Sequence, residues 1–241
     1  MKFGCIAPSV ISLPWDLHAL VPQGAQALTV TLNVRNGLPG EHERALDNMP
    51  RATNVLIDEG AKAIVVMGVP VAARRGYAED CNALAALTAD RGAVPIISSL
   101  AASARALQHL GAKRPLFITQ YNDAVNADIV AYCRDAGVTA AGCVGLGAGN
   151  AAQVNALSVA DYESLTKSAL ARHPGADGIF LSARGNLLSL TRKLEATFGL
   201  PAIEQVQAGV WWALSTLGAP MPGAGRLFPP DFARAGGAIQ G

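Results

Sequence analysis

Three short polar stretches, each directly after an apolar run, hold the residue types best suited to chemistry on a small anion. Ile6-Ala7 leads into Pro8-Ser9. Leu116-Phe117-Ile118 leads into Thr119-Gln120-Tyr121-Asn122-Asp123, and Ile179-Phe180-Leu181 into Ser182-Ala183-Arg184-Gly185-Asn186. Hydroxyls, amides, an arginine and glycine N–H groups at helix starts make a cradle for a carboxylate. Ser182 and Asn122 would serve equally well as caps for the helices that follow. Tyr121 and Arg184 are not favoured caps, so a ligand accounts for them better.

Other motifs carry less. The run GLGAGN (145–150) has the glycines of a dinucleotide loop, but it comes late and no acid follows at the required distance. It reads as a flexible loop after a strand. No GxxxxGK[ST] occurs, which excludes a Walker phosphate loop. His18, His42, His109 and His173 are isolated and suit surfaces or helix ends, so no metal is expected. Arg74-Arg75, just before Gly76, reads as a solvated loop edge with anion binding as the alternative. Cys5, Cys81, Cys133 and Cys143 are spread without a CxxC, which speaks for small buried hydrophobes in a reducing, cytoplasmic compartment.

These loops need a scaffold, and the chain supplies one by alternation. Strands are expected at 2–7, 27–33, 63–67, 94–98, 115–119, 139–146, 178–182 and 201–203. Helices are expected at 41–59, 78–91, 100–110, 123–136, 159–173, 187–198 and 204–217. Such alternation means βαβ units and a mainly parallel sheet, with ligands beyond the carboxyl ends of the strands. An internal echo refines this. GAKAIVVMGV from Gly60 resembles GADGIFLSAR from Gly175, an offset that puts Gly68 and Ala183 at equivalent places. The expected fold class is therefore α/β, in two pseudo-symmetric halves. Each is a short, mainly parallel sheet flanked by helices, with an active-site cleft between them. The halves are placed at 1–112 and 113–219 of a single compact, interleaved protein of 241 residues, with the tail 220–241 packing back.

Composition narrows the partners. With 51% hydrophobic and 15% charged residues the chain is globular rather than disordered. A formal charge of +1 argues against a nucleic-acid or anionic-membrane coat. The first apolar run is broken by Pro8 and Pro14, too short for a secretory leader or a membrane span. No nucleic acid, membrane or cofactor is expected; the partner is a small carboxylate, and a homo-oligomer is left open.

Several pieces in order carry a resemblance: VVMG (65–68), VPIISS (94–99), ITQYNDAVN (118–126), DGIFLSARG (177–185) and LEATFGLPAI…QAGVW (194–211). The chain resembles the aspartate/glutamate racemase-like superfamily, within it the arylmalonate decarboxylase and maleate isomerase branch. The resemblance implies two pseudo-symmetric halves and a cofactor-independent lyase or isomerase. In racemases and maleate isomerases of that superfamily two cysteines face each other, one as base or nucleophile and one as acid. Decarboxylases keep only the second, which protonates an enediolate. Those positions fall here at Gly68 and Ala183, and neither is cysteine.

The resemblance implies that Tyr121 hydrogen-bonds a substrate carboxylate. The hydroxylated residues after the first position are here Val69 and Pro70, and Pro70 has no N–H to offer. Substrate contacts are expected from Pro8, Ser9, Gly68, Val69, Tyr121, Asn122, Ser182, Arg184 and Gly185. Tyr121, position 183 and Arg184 are expected to carry the reaction. Three readings stand: a decarboxylase whose cysteine was replaced by Ala183; a native cysteine-free lyase, or isomerase, on a small mono- or dicarboxylate; and an inactive carboxylate-binding protein.

Overall fold

Runs such as Ile64–Val66 and Ile179–Ser182 are apolar without alternation, the pattern of strands covered on both faces. In a computed structural model, which describes residues 1–8, 15–34, 45–183, 185 and 187–229, they become the inner strands of two four-stranded sheets. The first holds β1 (Lys2–Ala7), β2 (Gln26–Thr31), β3 (Ile64–Val66) and β4 (Ile96–Ser98), in the order β2-β1-β3-β4. The second holds β5 (Leu116–Tyr121), β6 (Gly142–Ala148), β7 (Ile179–Ser182) and β8 (Ala202–Glu204), in the order β6-β5-β7-β8. Every pairing is parallel.

The two sheets share a register. Leu28, Gly4, Ile64 and Ile96 lie in one row of the first, and Gly142, Leu116, Ile179 and Ala202 in one row of the second. Ile64 and Ile179 are separated by the spacing of the sequence echo, so that repeat marks corresponding inner strands. The two pseudo-symmetric α/β halves read from the sequence are the observed fold.

The helices are α1 (Trp15–Leu20), α2 (Met49–Asp58), α3 (Val69–Arg75), α4 (Tyr77–Ala86), α5 (Ser99–His109) and α6 (Asp123–Asp135). They continue with α7 (Ala151–Ala156), α8 (Val159–Arg172), α9 (Leu188–Phe198) and α10 (Gln205–Thr216). Three were not expected: α1, α3 and α7 have six or seven residues, less than two turns, too few for a helical period to show. Arg74-Arg75 therefore closes α3 rather than edging a loop, and Arg75 pairs with Asp80 at 3.5 Å. The helix expected at 41–59 is interrupted at Asn48: residues 45–47 are helical, and α2 starts afresh at Met49 because Pro50 is tolerated only in a first turn. The expected segment 41–44 and the tail beyond 229 lie outside the described residues.

α10 has no solvent face along its middle. Val206, Gln207, Ala208, Gly209, Val210, Trp211, Trp212, Ala213 and Leu214 are all buried. A helix apolar all round belongs in a core. It follows the last strand of the second sheet yet packs on the first, where Gly209 meets Val65 so closely that a Cβ would lie 2.8 Å from Val65 Cγ1. The largest apolar cluster accordingly mixes Phe3, Val65 and Leu100 with Phe117, Phe180 and Trp211. Elsewhere Tyr132 of α6 reaches α4: its ring meets Tyr77 edge-on at 5.5 Å, and its hydroxyl donates to Asp80 Oδ2 at 2.8 Å. Among the described residues no helix is long and apolar enough to cross a membrane.

Gly209→Ala should overpack the contact with Val65 and destabilise the fold by about 1–3 kcal/mol in urea denaturation. Adding Val65→Ala, which frees that space, should recover part of the loss; a simple sum of the two single effects would refute the contact.

Candidate functional site

Tyr121 is placed by the bulged end of β5. Thr119 pairs with Gly145 and Tyr121 with Ala148, so β6 supplies one residue more than β5 between those pairs. Gly147 takes φ +74° there, a turn that side-chain-bearing residues resist. A polar clasp holds the other side. Thr119 Oγ1 donates to Asn126 Oδ1 at 2.5 Å and accepts from the Tyr121 N–H at 3.1 Å, while Asn126 Nδ2 donates to the Tyr121 carbonyl at 3.3 Å. Gln120, between them, is buried and accepts from the Tyr162 hydroxyl at 3.3 Å. Gly145 lets this happen, since a Cβ on it would lie 2.0 Å from the Tyr121 carbonyl oxygen. The run GLGAGN is thus strand through Ala148, not a flexible loop, and its glycines fit β6 around Tyr121.

Asn122 caps α6 by accepting from the Val125 N–H at 3.2 Å, so its amide oxygen has a structural task. Ser182 is fully buried, and its hydroxyl donates to Gln205 Oε1 at 3.0 Å instead of facing an anion. Gln205 in turn donates from Nε2 to the carbonyl of Ala183 at 2.9 Å. Ala183 is buried and Gly185 half-buried beyond the end of β7. In the first sheet, Gly68 caps α3 with φ +120° and ψ +62°, and among the described residues a Cβ there would find only Pro8 Cγ, at 3.9 Å. Val69 is buried against the core. Pro8, Gly68 and Val69 so gather at one strand end, and Tyr121, Asn122, Ser182, Ala183 and Gly185 at the other. α3 and α6, which start at those ends, pack on each other. Ser9, Arg184 and Asn186 lie outside the described residues, as does His42.

Two acids escaped the sequence reading. Glu204 ends β8 and caps α10, Oε2 accepting from the N–H groups of Val206 at 2.8 Å and Gln207 at 3.3 Å. It is wholly buried, and Oε1 has no hydrogen-bond partner. Burial, with Asp16 nearby, raises its carboxyl well above the usual range. Asp16 is itself buried and pushed upward by desolvation, against hydrogen bonds from Leu188 and Leu187. A lone acid inside the apolar run from Pro201 to Trp212 was the available signal for Glu204; for Asp16 there was none.

The four thiols lie within strands and helices. Cys5 and Cys133 are buried in a strand and a helix, and Cys81 and Cys143 are half-buried. Burial pushes Cys5 and Cys143 up to about 12 and raises Cys81 and Cys133 as well, so none is a thiolate at neutral pH. Among the described residues no three His, Cys, Asp or Glu side chains gather as a metal site.

The model of the arylmalonate decarboxylase family matches residues 4–228. The arylmalonate decarboxylase of Bordetella bronchiseptica is 27% identical over 230 residues, covering 93% of this chain and 95% of its own. A solved arylmalonate decarboxylase, with a glycine changed to cysteine and a cysteine to serine and with ligand bound, superposes with a TM-score of 0.84. It is 26% identical, and the match covers 94% of this chain and 98% of that one. The maleate isomerase of Pseudomonas putida S16, solved with maleate, shares the fold with a TM-score of 0.84 at 22% identity, over 95% and 98% of the two chains.

Gly145→Ala should force the Tyr121 carbonyl away and destabilise the protein by about 1–3 kcal/mol, read as a lower denaturation midpoint. The two raised carboxyls set a pH slope. Above about pH 4 the unfolded chain has released these protons while the folded chain still holds them. Unfolding then releases protons, so stability should fall as pH rises from that point through the folded-state values. Glu204→Gln should flatten the slope in urea denaturation between about pH 5 and about pH 8.

Proposed function

The chain belongs to the arylmalonate decarboxylase family, and on that footing we propose that it is a cofactor-independent lyase that decarboxylates a small mono- or dicarboxylic acid. The family match over residues 4–228 carries this reading. Gly68 adds to it, because the residue at this position carries no side-chain base. Decarboxylation needs none: the bond from the α-carbon to the departing carboxylate breaks and its electron pair stays behind. In a dicarboxylic acid of the malonate type that pair spreads onto the remaining carboxyl group as an enediolate-like intermediate, and one proton must then reach the α-carbon.

The protein's task is to stabilise the developing oxyanions, exclude water and deliver that proton. We assign carboxylate binding to Tyr121 and Arg184, helped by backbone N–H groups at Val69, Arg184 and Gly185. Ala183, at the position where family decarboxylases carry their acid, brings no proton of its own. Tyr121, acting through a water, is the donor we assign, a phenol being ordinarily protonated at neutral pH. Pro8 and Gly68 shape the facing wall. The thiols of Cys5 and Cys143, pushed up to about 12, are poor substitutes for a family cysteine.

The test is carbon dioxide release from phenylmalonate and other substituted malonates by the unaltered chain. Turnover is expected, and Tyr121→Phe should slow it by about 10²–10⁴-fold, the worth of a general acid. Arg184→Ala should weaken binding by about tenfold to a hundredfold in calorimetry, as one charge-assisted contact of ~1.5–3 kcal/mol requires. Activity only after Ala183→Cys would mean that the alanine replaces a functional cysteine. Tight binding without turnover by either chain would overturn the lyase in favour of a carboxylate-binding protein. Exchange of an α-proton without carbon dioxide release would instead indicate an isomerase.

A further inference from the structure

The chain between Ala183 and Leu188 is gripped at both ends by two residues, Gln205 and Asp16. At the strand side Gln205 accepts from the Ser182 hydroxyl at 3.0 Å and donates to the Ala183 carbonyl at 2.9 Å. Both ends of its amide are committed, and turning it over would put its oxygen against the Ala183 carbonyl, acceptor against acceptor. At the helix side, α9 begins after Leu187, which as N-cap residue offers no side-chain acceptor. Asp16 takes that part from a distance of 172 residues, Oδ2 accepting from the Leu188 N–H at 2.6 Å, with Leu187 N–H also bonded to it.

A serine or asparagine at 187 would reach only the N–H groups of residues 189 and 190, and would leave those of Leu187 and Leu188 unmet. Asp16 instead sits 3% exposed on α1, which packs on α10. Its neighbours extend the hold: the Thr191 hydroxyl bonds both the Leu188 carbonyl, at 3.0 Å, and Gln207 Oε1, at 3.2 Å. One frame of side chains on α1, α9 and α10 therefore holds the Ala183 carbonyl on one side and the N–H groups of Leu187 and Leu188 on the other.

We infer that Asp16 and Gln205 are positioning residues that set the backbone of Ala183 and Gly185 against the substrate, Asp16 doing so from the opposite half of the molecule. The inference rests on the lyase reading for what that backbone does, though not for the clasp itself. Misplacing oxyanion donors by a fraction of an ångström weakens the transition state more than the ground state, so kcat falls while KM holds.

Two readouts test it on the full-length protein, below the melting temperature of each variant. In hydrogen–deuterium exchange, Asp16→Ala and Gln205→Ala should each speed exchange of the 183–190 peptide by roughly tenfold or more. Asp16→Asn keeps an oxygen acceptor and should retain most of the protection. With phenylmalonate, kcat should fall by about tenfold or more in the two alanine variants with KM moved less than about threefold, and Asp16→Asn should stay within about threefold of the unaltered chain in both. Unchanged exchange in both alanine variants would overturn the clasp. Faster exchange with kcat intact, or an Asp16→Asn variant as impaired as Asp16→Ala, would overturn the positioning role. If Asp16→Ala does not fold, Gln205→Ala with Asp16→Asn still decides. Should the unaltered chain release no carbon dioxide from phenylmalonate, the lyase reading fails, and exchange alone judges the clasp.

Discussion

A helix buried on every side constrains this molecule more than any other element. α10 runs through the core with nine consecutive buried residues, so its first N–H groups cannot be left to water. They must be met from inside. Glu204 does this with a carboxyl that is itself wholly buried, and the raised proton affinity of that group is the physical result. Gln205, forced into the first turn beside it, has its amide in reach of the neighbouring strand end. The frame around 182–188 follows from that one requirement. So does the near-contact of Gly209 with Val65, which allows the helix to touch the other sheet at all.

The parts of the fold visible in the sequence are those where a single local cause decides. β1 falls at its expected bounds because the apolar run Phe3–Ala7 follows Lys2 and ends at Pro8. Asp123 and Val159 begin helices as read, each behind a capping residue, Asn122 and Ser158. What stayed hidden depends on two distant segments meeting. The glycines at 145 and 147 read as looseness because their reason, the bulge that seats Tyr121, lies on another strand. Ser182 and Asn122 were offered a choice between cap and ligand, and local geometry engages both with protein partners. Asp16 has no sequence signature, since its partner is the backbone of Leu188.

The four thiols illustrate how burial decides chemistry. Cysteine is the residue on which relatives of this fold invite attention, yet here every thiol lies in a strand or helix interior with its proton held more tightly than usual. The polar groups at the strand ends are instead amides, a phenol and acids. Such groups act by holding hydrogen bonds in fixed directions, which suits charge stabilisation better than covalent attack.

The bond from Leu188 to Asp16 has a temporal side. It joins points 172 residues apart, among the most non-local contacts the chain could make. At roughly 5–20 residues per second on a ribosome, Asp16 waits about 10–30 s before its partner has been made. The first half can build its sheet during that interval, with the carboxylate of α1 still hydrated. Non-local contacts of this kind are late and slow to form. The contact is therefore completed near the end of folding, and a chain truncated before α9 would leave Asp16 without the Leu188 N–H it holds.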